Sequence, residues 1–276
     1  MDEKTFSAII NLITQKTGII PRDSHKTGIL NYINKRTAEL KKYEAGTFTN
    51  YYDYLKNHNE EIMSLINNAT VNETYFFREE SQFRLLKDKI IPEIIKKNTF
   101  NPLSPLRVWS AAASSGEEIY SLYLLLNSLG MYCEYTASDI NTQVLEHCAE
   151  GLYKHNSVRS VDGSEFHYLL DDFKRKDGKI EFGPNVCKKI IRKQINLASC
   201  ENFPVKQNLI FIRNVFIYFS QDTKKRILQK IVNDSLVDDG YLFVSMNEIP
   251  SLDSSIIPQN LEKLGDGKVY YFHKRG

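Results

Sequence analysis

After residue 105 the chain alternates between short strand-like runs and amphipathic helical runs, and this alternation constrains its fold more than any other feature. "LRVWSAA" is a strand-like run ending in small residues. "GEEIYSLYLLLNSLG" is an amphipathic helix closed by Gly130. "CEYTASDI" reads as a strand and "TQVLEHCAEGLY" as a helix. "NLIFIRNVFIYF" is a buried strand continuing past its end. "KKRILQKIVNDSLVDDG" is a helix with a turn after it, and "YLFVSMNE" and "KVYYFHK" are strands. Alternation of this kind predicts an α/β domain with a mostly parallel sheet and right-handed crossovers.

Upstream the periodicity is helical. Phe6, Ile9, Ile10 and Ile13 repeat at helical spacing and Gly18 is a stop signal. Leu30, Ile33, Thr37 and Leu40 mark a second helix whose other faces carry Lys35, Arg36, Lys41 and Lys42. Ile62, Leu65 and Ile66 mark another. Leu86, Ile90, Ile91, Ile94 and Ile95 mark a long one that Pro92 should kink or divide. "NTFNPLSP", residues 98–105, reads as a linker. The expected organisation is a small all-helical domain over 1–70, a linking segment and helix over 71–105, and the α/β domain over 106–276.

Composition excludes several classes. No apolar run approaches the roughly 18 residues that span a bilayer. The start, "MDEKTFSAII", carries acids where a secretion signal would carry positive charge. Cys133, Cys148, Cys187 and Cys200 lack metal-ligand spacing and read as free thiols of a reducing cytoplasm, and the six histidines are scattered, so no metal is expected. A net charge of +2 is too small for general nucleic-acid binding. The charge is nevertheless uneven. Residues 1–43 hold eight Lys/Arg against four Asp/Glu, and residues 174–193 hold eight against two. These are either solvated faces or docking patches for an acidic protein partner.

In an open α/β sheet, ligands sit outside the carboxyl ends of the strands. At the first end, "VWSAAASSGEE", Ala111 to Gly116 have little side chain and a ligand can approach the backbone closely. The loop lacks G-x-G-x-x-G, and Glu117 and Glu118 oppose a pyrophosphate at the helix start while suiting a cationic amine. A tight turn with capping acids is the plainer reading. At the second end, Asp139 lies 23 residues after Gly116, near the spacing of about 20 at which an acid grips ribose hydroxyls. Together the two ends point to an adenosine-containing cofactor without phosphates, a description that S-adenosylmethionine fits. At the third end, Arg213 and Asn214 interrupt an apolar run, where unpartnered polar groups are costly in a core. Tyr218, four residues on, is either a packed aromatic or a hydroxyl returned to the same cleft.

One further stretch, "VNETYFFREE" from Val71 to Glu80, presses an arginine against aromatic bulk with no glycine or proline to make a simple turn. With "VWSAAASSGEEIYSLYLLL", "ASDINTQVLEHCAEGLY", "NLIFIRNVFIYF" and "VSMNE" it forms an ordered set that closely resembles the chemotaxis receptor glutamate methyltransferases (CheR). The resemblance covers nearly the whole chain. It implies a Rossmann-like methyltransferase domain that moves a methyl group from S-adenosylmethionine to glutamate side chains of membrane chemoreceptors, leaving S-adenosylhomocysteine. Carried over position by position, it implies cofactor contacts from Asn72, Thr74, Arg78, Ala111, Glu117, Asp139, Asn196, Leu197, Arg213 and Asn214. Tyr218 matches a tyrosine that helps place the incoming carboxylate, with Arg78 as its catalytic partner, and Phe76 and Phe77 anchor Arg78 by burial. Lys35, Arg36, Lys41 and Lys42 are expected to dock the receptor's cytoplasmic methylation region.

The chemistry suits such residues. A glutamate carboxylate is already nucleophilic at neutral pH and a sulfonium is a strong leaving group, so the site chiefly needs to align oxygen, carbon and sulfur, an effect that can contribute up to about 7–11 kcal/mol. Some members of the family carry a small antiparallel β-subdomain that grips a receptor carboxyl-terminal pentapeptide. The run around 170–195 is shorter here and has a lysine-rich turn; the subdomain is expected, and pentapeptide tethering stays open. The resemblance also implies a cytoplasmic, monomeric enzyme. Two rival readings are a nucleic-acid methyltransferase, which would want a basic cleft and an Asn/Asp-Pro-Pro-aromatic run that is not present, and a non-catalytic cofactor-binding docking protein, which should lack Arg78 or Tyr218.

Overall fold

The structure is a computed structural model that describes residues 1–43, 48–96 and 104–276; residues 98–103 of the expected linker lie outside the described residues. The helical part comes first. Helix α1 (Glu3–Thr17) starts where the Asp2 carboxylate accepts from the Thr5 N–H at 2.8 Å and ends at Gly18, in the left-handed region at φ 71°. Helices α2 (Asp23–Tyr43), α3 (Tyr51–Asn57) and α4 (Asn59–Ala69) follow. Ile9, Ile13, Ile29, Ile33, Leu40, Leu55 and Leu65 form their common core.

Helix α5 (Glu80–Leu85) passes through a π-helical turn, Leu86–Ile90, into α6 (Ile91–Lys96). Pro92 sits just after that turn, which absorbs the backbone hydrogen bond proline cannot make. Leu86, Ile90, Ile91 and Ile94 are buried as their spacing requires, whereas Ile95 is exposed.

The α/β part comprises β1 (Leu106–Ala111), α7 (Glu117–Ser128), β2 (Cys133–Asp139), α8 (Thr142–Glu150), β3 (Leu152–Tyr153), β4 (Ile180–Glu181), α9 (Pro184–Cys187), β5 (Ile190–Gln194), β6 (Gln207–Ile212), α10 (Gln221–Lys230), β7 (Leu236–Val244), β8 (Leu261–Asp266) and β9 (Val269–Lys274). Seven strands form one sheet in the order β5-β2-β1-β6-β7-β9-β8. Pairings from β5 to β7 are parallel, and β9 runs antiparallel to both β7 and β8. Successive residues face opposite sides: Val108, Leu209 and Phe211 join one apolar layer, Trp109, Ile210 and Ile212 the other. The strand order reverses between β1 and β6, which places the ligand crevice outside the carboxyl ends of β1, β2 and β6.

Three details differ from the sequence reading. β7 begins at Leu236, inside the stretch read as helix and turn, and its register against β6 shifts between Gln207 and Leu209. β8 gives no strand signal, because it is an edge strand whose Glu262, Lys263 and Asp266 face solvent or its rim while Leu261 alone is buried. The small antiparallel sheet pairs β3 with β4, so it draws on residues before 170, while residues 190–194 join the large sheet beside β2.

Candidate active site

The loop after β1 is shaped by its backbone. Ala112 (φ 61°), Ser114 (φ 50°) and Gly116 (φ 98°) all take left-handed conformations, which small residues tolerate best. A Cβ at Gly116 would lie 2.5 Å from the Cys148 sulfur, so only glycine fits where α7 starts. Asp139 at the end of β2 fixes the loop: its carboxylate accepts the backbone N–H of Ser114 and of Asn141, each at 2.9 Å. Burial pushes the Asp139 carboxyl up from its usual range, and the N–H groups of Asn141, Ser114 and Ile140 oppose that shift. The resulting cleft holds about 940 Å³ of space, the open solvent at its mouth included.

The segment before α5 closes the cleft from the helical side. Phe76 and Phe77 are fully buried. Phe76 meets Tyr153 edge-on at 5.0 Å, and Phe77 packs on Phe83 and Phe166, each at 5.4 Å. Left-handed residues Phe77 and Glu79 flank Arg78, which lines the cleft while the two phenylalanines are buried. The arginine therefore does not rest on the phenylalanines. Its guanidinium lies 5.4 Å from the Tyr75 ring centroid and donates to the Glu73 carbonyl at 2.8 Å. Tyr75 is itself held by Arg159, 4.3 Å over its ring, and donates to Asp162 at 3.0 Å.

Arg213 is buried between these two walls. It donates to Gln82 at 2.9 Å and to the Arg78 carbonyl at 2.8 Å, and its Nε faces the Glu118 carboxylate at 2.8 Å in an ion pair. Glu118 also accepts from Ser110 at 2.6 Å. Beyond it Asn214 (φ 57°) donates to Ser245 at 2.9 Å. Glu248 is wholly buried and accepts the N–H of Asn214 at 2.7 Å and of Ile217 at 3.0 Å. Burial pushes its carboxyl up to about 7 against those donors, with Glu79 adding to the rise. Glu79 accepts from the Ser245 hydroxyl and from the Met246 N–H.

The helical domain supplies the remaining wall. Thr17, Ile19, Pro21 and His25 line the cleft. A Cβ at Gly18 would stand 2.3 Å from that of Ala198, so glycine permits the closest approach of the two parts. Asn196 donates to the Lys16 carbonyl at 2.9 Å, and Ile20 donates to the Tyr218 carbonyl at 2.8 Å. Burial raises the Tyr218 hydroxyl, and the Arg22 and Arg78 charges oppose that rise. Among the described residues this hydroxyl has no hydrogen-bond partner.

The structure thus brings Asn72, Thr74, Arg78, Asp139, Asn196, Leu197, Arg213, Asn214 and Tyr218 to one cleft. Ala111 and Glu117 do not line it. Ala111 is a buried strand residue in the core layer. Glu117 points away and accepts from Ser115 at 2.6 Å and Ser157 at 2.9 Å, while Glu118, turned about 100° around the helix, faces the cleft. The expected docking residues separate likewise. Lys35, Lys41 and Lys42 are exposed on α2, but Arg36 is engaged by Glu61 at 2.9 Å and Glu39 at 3.1 Å, and Tyr51 donates to the same buried Glu61 at 2.7 Å. Sequence reasoning named Glu118 only jointly with Glu117 and did not single out His25 or Glu248. The GEE pair and the "VSMNE" run contained two of these, but their spacing does not say which acid turns inward.

Small residues and two buried carboxylates, Asp139 and Glu118, suit a ligand with hydroxyls and a cationic amine, and both acids disfavour phosphate. The model of the family described as CheR methyltransferase, SAM binding domain, matches residues 72–259. The chain is 32% identical over 255 residues to the chemotaxis protein methyltransferase of Borreliella burgdorferi, covering 88% of this chain and 87% of that protein. It is 31% identical over 254 residues to that of Escherichia coli K12, covering 90% and 85%. A chemotaxis protein methyltransferase 2 of Vibrio cholerae is 30% identical, covering 95% and 90%. The chain belongs to the CheR family of S-adenosylmethionine-dependent methyltransferases.

Proposed function

We propose that the protein methylates glutamate side-chain carboxylates in the cytoplasmic methylation region of membrane chemoreceptors, forming methyl esters for sensory adaptation. The observation that carries this reading is the convergence of Arg78 and Tyr218, from distant parts of the chain, on one cleft that Asp139 and Glu118 also line. Asp139 and the 112–116 loop hold the ribose side. Glu118 takes the cationic methionyl end. Asn196 and Leu197 flank the base. Bound S-adenosylmethionine supplies an electrophilic methyl group on a sulfonium.

The chain's own residues then have one main task, to orient a carboxylate oxygen toward that methyl. Arg78, restrained by its contacts to Glu73 and Tyr75, and the Tyr218 hydroxyl are the two donors. Their hydrogen bonds must place the oxygen without neutralising it, because too tight an ion pair would lower its nucleophilicity.

Transfer of isotope from methyl-labelled cofactor to chemoreceptor membranes, run beside nucleic acid, tests the reading. Base-labile label on receptor supports it. Label on nucleic acid, or none on either, contradicts it.

A further inference from the structure

Arg22 and His25 lie outside the motifs that carry the family resemblance, yet they stand beside Tyr218. The Arg22 guanidinium is 5.9 Å from the Tyr218 ring centroid, and the His25 ring is 6.1 Å from it, tilted by 54°. The Ile20 N–H bond to the Tyr218 carbonyl, 2.8 Å, fixes this register between the α1–α2 connection and the tyrosine. Arg22 is exposed, and among the described residues its side chain meets no carboxylate. Its neighbour Asp23 is taken by Lys26 at 2.8 Å. A second cation, Arg78, lines the cleft with Tyr218. The tyrosine thus has one guanidinium over its ring, from the helices at the chain's start, and shares the cleft with a second, from the segment before α5.

A guanidinium is a planar donor fork suited to carboxylates. Tyr75, Glu73 and Arg159 fix Arg78 in the cleft. Among the described residues the Tyr218 ring is the contact of the exposed Arg22 side chain, whose donors meet no carboxylate. We propose that Arg22 is a substrate-positioning residue: it receives the incoming glutamate carboxylate at the rim and delivers it to Tyr218 and Arg78, with His25 closing the side of the path. This rests on the proposed glutamate methylation.

Arg22→Ala and Arg22→Lys in the full chain, assayed with receptor membranes and labelled cofactor, test it. Arg22→Ala should raise the receptor KM about tenfold, the loss of one charge-assisted contact. The affinity for S-adenosylhomocysteine by calorimetry and the melting temperature should not change. Arg22→Lys should recover most of the loss, and the difference between wild type and Arg22→Ala should shrink at higher salt. An unchanged KM overturns the proposal, as does a loss that appears in product affinity or melting instead. Tyr218→Phe is measured beside them. Slow transfer by Tyr218→Phe with a wild-type Arg22→Ala removes Arg22 alone; wild-type transfer by both removes the Tyr218 placement too, and no receptor label from the unaltered protein removes the glutamate-methylation reading.

Discussion

Arg213 donates to the backbone carbonyl of Arg78 at 2.8 Å across 135 residues of chain. The same guanidinium pairs with Glu118 and donates to Gln82. One side chain thus ties the segment carrying Arg78 to the end of β6 and to the start of α7. It lines the cleft and holds its walls together.

Replacing Arg213 should therefore act on stability first. Arg213→Ala leaves Glu118 buried without its partner and should cost about 3–5 kcal/mol. Pairing it with Glu118→Gln should return part of that loss. Arg213→Lys can satisfy one of three acceptors and should fall between. Denaturant unfolding and calorimetric titration with S-adenosylhomocysteine measure both consequences, and additive single and double variants would contradict the coupling.

The Asp139 carboxylate anchors Ser114 and Asn141, and the residue also lines the cleft. Asp139→Ala should weaken S-adenosylhomocysteine binding by about 1–3 kcal/mol and also lower the melting temperature. Asp139→Asn turns an NH2 toward one of the backbone donors and should not restore the loop. Unchanged product affinity in a folded variant would remove Asp139 from the site.

Glu248 predicts opposite pH trends for stability and activity. Its folded carboxyl titrates at about 7 against an ordinary 4.5. The stabilising contribution is full below 4.5 and is lost as pH rises through about 7, a change of about 3 kcal/mol. Ionised Glu248 accepts two backbone N–H groups, one on each oxygen; protonation compromises one of them. Turnover should therefore fall as pH drops through about 7. Glu79 and the buried Lys224 also act on this carboxyl, so the comparison is with Glu248→Gln, which should flatten the stability slope between 4.5 and 7. Parallel slopes in the two proteins would contradict the assignment.

On α2, position separates structural charge from docking charge. Arg36→Ala breaks the Glu61 clamp that joins α2, α3 and α4, and should cost about 2 kcal/mol, less than a fully buried pair because Arg36 is 34% exposed. Lys35→Glu with Lys41→Glu should leave melting unchanged and raise the receptor KM in a salt-sensitive way. Receptor kinetics insensitive to both charge reversal and salt would make this face merely solvated.

The strands of the parallel sheet were legible because buried runs such as "NLIFI" have no polar face to hide them. The β6 end of the cleft was legible for the same reason, since polar Arg213 and Asn214 stand where an apolar run stops, while Asp139 was legible from its spacing to Gly116. Orientation was not. Glu117 and Glu118 are adjacent and chemically alike, and only the helix start decides which one turns inward. Arg36 shares its spacing with Lys35 and Lys41, and its buried partner Glu61 lies 25 residues on. The approach of Pro21 and His25 to Tyr218 depends on docking between domains, for which local sequence carries no signal.

The most direct test of the account is single-turnover methyl transfer with saturating receptor by Tyr218→Phe, which keeps the ring and removes only the hydroxyl. If that hydroxyl places the carboxylate, the rate should fall about ten- to a hundredfold, or about 1.4–2.7 kcal/mol, with S-adenosylhomocysteine affinity intact. A wild-type rate would reduce Tyr218 to a packing residue and contradict the assignment of the cleft's chemistry to the Arg78–Tyr218 pair.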